Sequence, residues 1–325
     1  MSRRSSKGKE IVTDVSSSPV AKWTRLSSQA SKDSNCERFK TPLDSQTHSS
    51  IFEDATFIVE RVVRFDTLGT TFIPRIFEAK DWANLFRNFE DLMEELVREF
   101  FSNARYIRVE LKCWVRGKEF SINPNYIAKV LRITRHEDVD LTPYDDRTPK
   151  VQDILQVLGL DHEVSSKGTS INTAKFAPKL TTLKLIMFSN LYPLSNTTFI
   201  NLGRAQFLSD LITGAPIDIC AHIFQIIGKT VARSATQACI PFCSLIMKIM
   251  LLEGVNPLSD GKIMNRPRPI SMITLQASKS HSFKTPKCEH ISPATPYAHG
   301  SDTHVHTMTI SPVTPELQPT SNQPV

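Results

Sequence analysis

At 325 residues the chain has room for one large domain or two small ones. Its 39 Lys/Arg against 33 Asp/Glu give a net charge of +6, but the excess sits at the ends. Residues 1–50 hold nine basic and five acidic side chains and residues 266–325 five and three, which leaves 25 of each sign between them. The middle therefore carries no net field to draw it onto nucleic acid. Six scattered cysteines argue against a disulfide framework, and the N-terminus MSRRSSKGKE has charge but no apolar stretch behind it. Without a secretory leader, an intracellular, reducing compartment is expected, the nucleus included. The most apolar run, CIPFCSLIMKIMLL at 239–252, is 14 residues with Lys248 inside it, too short to span a bilayer. A soluble protein without a membrane partner is the expectation.

Residues 1–54 are rich in Ser, Thr, Lys and Asp, and so polar a stretch cannot bury enough surface to offset its ordering entropy. A disordered basic tail is expected there. From Arg266 onward RPRP, SPATP and SPVTP argue for a second disordered tail, 266–325, rich in Pro, Ser, Thr and His. Between them, 55–265 reads as mainly α: a single helical domain with one small β-hairpin.

Apolar residues at 82, 85, 86, 89, 92, 93, 96, 97, 100 and 101 form one helical stripe in DWANLFRNFEDLMEELVREFFSNAR, with Asp81 as the expected N-cap. Ile107, Val109, Leu111, Cys113 and Val115 then alternate with polar residues, the period of a half-buried strand. Gly117 turns the chain, and Phe120 and Ile122 begin the return strand. Asn123-Pro124 is a helix start, with Asn as N-cap and Pro in the first turn. Further helices are expected from Thr148-Pro149 to Gly159, from Pro178 to Pro193 and from Leu202 to Gly214. Two more follow, one capped by Asp218 and one beginning at Pro241.

Several short stretches resemble chemistry without completing it. IIGKT at 226–230 ends like a phosphate-binding loop, but Ile223 stands where the loop needs glycine. In FDTLGT at 65–70, Leu68 interrupts an Asp-Thr-Gly. Cys239 and Cys243 lack two further ligands at zinc spacing and read as two small buried residues. The tail cluster Cys288, His290, His299, His304 and His306 has ligand chemistry without a metal-site spacing. His222 shares a helix face with Ile219, Ile223 and Ile226 and reads as a core-edge residue. Glu90, Asp91, Glu94, Glu95 and Glu99 read as the solvated face of the first helix. No catalytic residue, cofactor or metal ligand can be named, and a non-enzymatic protein is expected. Arg3, Arg4, Lys7 and Lys9 are the candidates for weak, sequence-blind nucleic-acid contact or for an import signal. Protein partners or self-association are the other expected contacts.

Three stretches, VRGKEFSINPNYIAKVLRI at 115–133, LYPLSNTTFINLGRAQFLSDLITGAPIDIC at 191–220 and IPFCSLIMKIMLLEGV at 240–255, together resemble the "putative plant transposon protein" domain. The 81–105 segment resembles its opening. Leu191, Pro193, Ser195, Arg204, Ala205 and Gly214 match the family pattern, whereas Asn196 stands where it often has histidine and Leu194 where it often has threonine. The resemblance covers about 60–265 and implies origin in a plant transposable element, bringing no catalytic residue or cofactor with it. Its expected role is an interaction or assembly domain; the alternative is a nucleic-acid-binding or processing component of the element.

Overall fold

Several helices start at a side-chain cap or a proline. The computed structural model describes residues 38–282 apart from 88, 108, 137, 161–168, 196–197, 233–238, 258 and 260. Helix α1 spans Pro42–Thr47, α2 Ile73–Ala79, α3 Glu94–Asn103, α4 Pro124–Leu131 and α5 Val151–Leu158. Helix α6 spans Pro178–Ile186, α7 Leu202–Thr213, α8 Ile219–Val231, α9 Cys243–Leu252 and α10 Met272–Ser282. Asn123 Oδ1 accepts from Tyr126 N–H (2.8 Å) and Asp218 Oδ1 from Ala221 N–H (2.9 Å), two of the three N-caps the sequence announces. Gly159 (φ 66°) and Gly214 (φ 78°) close α5 and α7 in the left-handed conformation.

The expected long helix from Asp81 is not formed as such. Asp81 has φ 53° and caps nothing, Ala83–Leu85 is a single tight turn, and only Glu94–Asn103 is α-helical. Trp82, Leu85, Phe86 and Leu92 are still buried. Their backbone is claimed by distant chain instead: Val63 N–H donates to the Phe86 carbonyl, Met264 N–H to that of Leu92, and Met93 bridges Ile263. Long-range pairing overrides a helical period here.

The single hairpin is likewise only part of the β-structure. Strands β3 (Glu110–Val115) and β4 (Lys118–Ile122) form it, and a separate strand β2 (Arg105–Ile107) pairs β3 on the other side. The alternation of Ile107 and Val109 ran through a turn, which explains why both are exposed. Two small pairs complete the set among the described residues. β5 (Ser170–Asn172) pairs antiparallel with β6 (Phe199–Asn201), and β1 (Thr56–Phe57) pairs parallel with β7 (Cys239–Ile240).

Ordered structure also reaches past 55–265. At one end Ile270 is fully buried, exchanging backbone hydrogen bonds with Val62 and Arg64, and α10 packs on α6. In the proline-rich 266–270, residues 267–269 are exposed, as the composition implies, while the Ile270 backbone is paired and the Arg268 carbonyl accepts from Arg61 Nε (2.8 Å). At the other end α1 is started by a capping box between Thr41 and Asp44. Residues 1–37 and 283–325, where the rest of the two expected tails falls, lie outside the described residues.

Buried charges tie these pieces together. Glu99, expected on a solvated face, is fully buried: it accepts from Arg38 Nε (2.8 Å) and from Arg116 Nε (2.8 Å) and Nη2 (2.7 Å). One carboxylate thus joins the α1 segment and the β3–β4 turn to α3. Glu99→Ala is expected to lower stability by about 2–4 kcal/mol, because two arginines lose their buried partner. Glu95→Ala, at a carboxylate 42% exposed, is expected to cost under about 1 kcal/mol. Urea unfolding of the two variants checks this, and equal midpoints would refute it.

Glu60 does similar service at α9. Phe242, at the N-cap position of that helix, gives no side-chain bond, and the buried Glu60 carboxylate accepts from the backbone N–H of Ser244 (3.0 Å) and Leu245 (3.1 Å). Burial pushes its carboxyl above the usual range. The parallel β1–β7 pair sets this up, running Glu60 alongside the start of the helix.

Candidate functional site

The ends of α4 and α9 frame a cleft of about 680 Å³, within the size range of ligand sites. Lys129, from the last turn of α4, and Arg132, just past its end, are exposed on one wall; Lys248, from the middle of α9, is half-buried on the other. None of the three makes an ion pair among the described residues. One carboxylate, Glu253, shares the cleft, and it accepts a hydrogen bond from the Tyr126 hydroxyl. Burial, then Glu253 itself, pushes the Tyr126 phenol above its usual range, so it stays a protonated donor. Leu252, 62% exposed, supplies an apolar surface beside them. A narrow cavity of about 20 Å³ shares Asn84, Leu131 and Lys248 with the cleft and is also lined by Arg87.

Local backbone chemistry explains how cations can face helix ends there. Arg132 closes α4 at φ 55°, ψ 49°, and its N–H reaches back to the Ala128 and Lys129 carbonyls. Asn84 Nδ2 takes the Leu131 carbonyl (3.0 Å). At the end of α9, Glu253, Gly254 and Val255 donate to the carbonyls of Ile249, Leu251 and Met250. A non-glycine residue in the left-handed conformation costs about 1 kcal/mol. The chain uses glycine for this cap at 159 and 214 and arginine at 132. Arg116 also has positive φ, and there the guanidinium is spent on Glu99.

The residues singled out from sequence are dispersed. Arg3, Arg4, Lys7 and Lys9, the tail cysteine–histidine cluster and Asn196 lie outside the described residues. IIGKT is part of α8, with Gly228 against the Tyr106 ring and Lys229 3.6 Å from Asp145. Phe65–Leu68 of FDTLGT is one tight turn. Cys243 is buried, its thiol held well above the usual range by desolvation, whereas Cys239 is half-buried in β7. Among the described residues no group of three His, Cys, Asp or Glu is placed to hold a metal.

His222 sits deeper than a core edge. It is 5% exposed, stacked on Phe207 (ring centroids 4.7 Å) with Tyr192 and Tyr144 edge-on. Its Nε2 is buried without a hydrogen-bond partner, and desolvation pushes its pKa down to about 3. The cavity beside it, about 20 Å³, admits nothing larger than a water molecule.

The domain is built of helices around small β-pairs, with a cleft lined by three cations where two helices end. Residues 78–256 match the family model for a putative plant retrotransposon-related domain. The chain belongs to that family, which supports the mobile-element origin implied by the sequence. No curated protein and no solved structure matches it. Among the described residues no helix is long and apolar enough to cross a membrane.

Proposed function

We propose that this transposable-element-derived protein acts by binding rather than by catalysis, as an interaction or assembly domain. The cleft carries the reading: its cations have no ion-pair partner among the described residues, and its one carboxylate is held by a phenol that stays protonated. That is equipment for recognising an anion, not for passing a proton. Buried ionisable groups elsewhere support it. Glu99 and Asp218 are held by arginines, Glu60 by backbone N–H groups, and His222 is desolvated to its neutral form.

The reading is tested by incubating the full-length protein with single- and double-stranded DNA and RNA in Mg²⁺ and Mn²⁺. No cleavage or strand transfer is expected; metal-dependent turnover would replace this reading with a processing role for the element. The tail residues Arg3, Arg4, Lys7 and Lys9 remain the candidates for weak nucleic-acid contact or nuclear import. A fluorescent fusion carrying all four as glutamine would show whether an intracellular, nuclear location depends on them.

A further inference from the structure

We propose that the cleft between α4 and α9 is a phosphate-binding site, contacted by Lys129, Arg132 and Lys248. Net neutrality of the 51–265 segment hides this local imbalance: three cations share the cleft with one carboxylate. Two of the cations stand where folding alone gives little reason for them. Lys248 is the one charged side chain in the largely apolar α9, half-buried and without an ion pair among the described residues. Arg132 occupies a left-handed cap that glycine fills elsewhere in this chain, and among the described residues its guanidinium makes no bond to repay the strain. Lys129 complements the negative end of α4, and Arg132 beside it doubles a charge that one residue already supplies.

The ligand chemistry follows from what the walls offer. Of the helix-end carbonyls that would repel an anion, those of Ala128, Lys129, Leu131, Ile249, Met250 and Leu251 are taken up by Asn84 and by the chain's own N–H groups. Arg132 presents the planar fork that matches phosphate oxygens, and the two lysines act as point charges from both walls. Charges on opposite walls suit successive phosphates better than one carboxylate, and exposed Leu252 gives a base or sugar an apolar surface. A nucleoside triphosphate and a single-stranded nucleic acid share this chemistry.

The test uses the full-length protein and its Arg132→Gly/Lys129→Gln variant. Glycine suits the φ of Arg132, so the variant is expected to melt no lower than the parent, which separates binding from folding. Anisotropy titrations with labelled oligo(dT) and oligo(U) are run across a salt series, with adenosine triphosphate and polyglutamate measured alongside. The variant is expected to bind the oligonucleotides about tenfold more weakly, with the salt slope reduced by about 1.4, or roughly 0.7 per lost phosphate contact. Loss confined to the triphosphate would support the site with a free nucleotide as its source. Phosphate ligands indifferent to the variant would overturn the proposal, even where glutamine at Arg3, Arg4, Lys7 and Lys9 abolishes binding. So would a response to polyglutamate alone, which would make the occupant an acidic peptide. The inference rests on the binding role proposed above; metal-dependent turnover would sink that role and leave the affinity change standing.

Discussion

Gly203→Ala is expected to destabilise the protein by about 3 kcal/mol, lowering the melting midpoint by about 6–12 °C for a domain of this size. Gly203 sits in the first turn of α7, where the tight turn Tyr144–Asp146 lies against it. An added Cβ would overlap the Tyr144 carbonyl group, with the carbonyl carbon at 2.7 Å, and would stand 3.0 Å from Asp145 N. Those atoms are backbone and cannot swing aside. The turn is also bound to the helix by side chains: the Tyr144 hydroxyl donates to Asp210 (2.8 Å) and Asn201 Nδ2 to Asp145 (2.9 Å). Relieving the overlap means pulling those bonds apart. Gly228→Ala is the control, also a helical glycine, whose new Cβ would meet the Tyr106 ring at 2.9 Å. Tyr106 is 46% exposed and can rotate away, and alanine gains up to about 1 kcal/mol of helix propensity, so little net change is expected. Thermal unfolding of both variants decides the matter. If they melt alike, close backbone approach is not what Gly203 provides.

Gly203 lies within LYPLSNTTFINLGRA, part of one of the three stretches that carry the family resemblance, and its role there was not legible from sequence. Local signals were. Asn123, Asp218, Gly159 and Gly214 mark helix ends through bonds or backbone conformations set within a few residues, and each does so in the fold. What escaped depends on residues far apart in the chain. The 81–93 stripe keeps its apolar residues inside, yet its backbone is paired by 63 and 264 and leaves the helix. Ile270 sits in a proline-rich segment that reads as a tail until Val62 and Arg64 take its hydrogen bonds. Glu99 looks solvated on a helical wheel because Arg38, 61 residues earlier, is invisible there.

The cleft was half legible for the same reason. Lys248 stands out inside an apolar run, and Lys129 and Arg132 fall in one of the family-like stretches. Their shared placement comes only from α4 and α9 ending beside one another. The positive φ of Arg132 had no sequence signal, since a helix that ends in Leu-Arg-Ile offers no glycine to announce its cap. Charge totals misled in the same way: a balanced count over 51–265 says nothing of where paired and unpaired charges sit. Arginines such as Arg38, Arg116 and Arg135 are consumed by buried carboxylates, which leaves others to dominate a cleft.

Acid is expected to unfold the protein partly through His222. Its pKa falls from 6.5 to about 3 because its ring is desolvated among Phe207, Tyr192 and Tyr144. Asp145 pulls the value up, and Arg147, Arg204 and Lys229 push it down. Below pH 6.5 the unfolded chain takes up a proton that the folded protein refuses. The contribution is therefore whole above that pH and falls by about 1.4 kcal/mol per unit toward pH 3. By pH 4.5 about 3 kcal/mol of it is lost. Glu60 and Asp210 work in the opposite sense, since burial raises both carboxyls and the folded state protonates them first. The overall acid profile is a composite, and His222→Phe isolates one part of it. Phenylalanine keeps the aromatic packing and removes the unpartnered Nε2, so the variant is expected to match the parent within about 1 kcal/mol at pH 7.5. Urea unfolding from pH 7.5 to 4.5 should then show the variant gaining on the parent until they differ by about 3 kcal/mol. A gap that stays constant over that range would mean the histidine titrates normally. That result would also reopen the site chemically, because an imidazole near its ordinary pKa beside Tyr144 and Asp145 could move protons at neutral pH, and one desolvated to about 3 cannot.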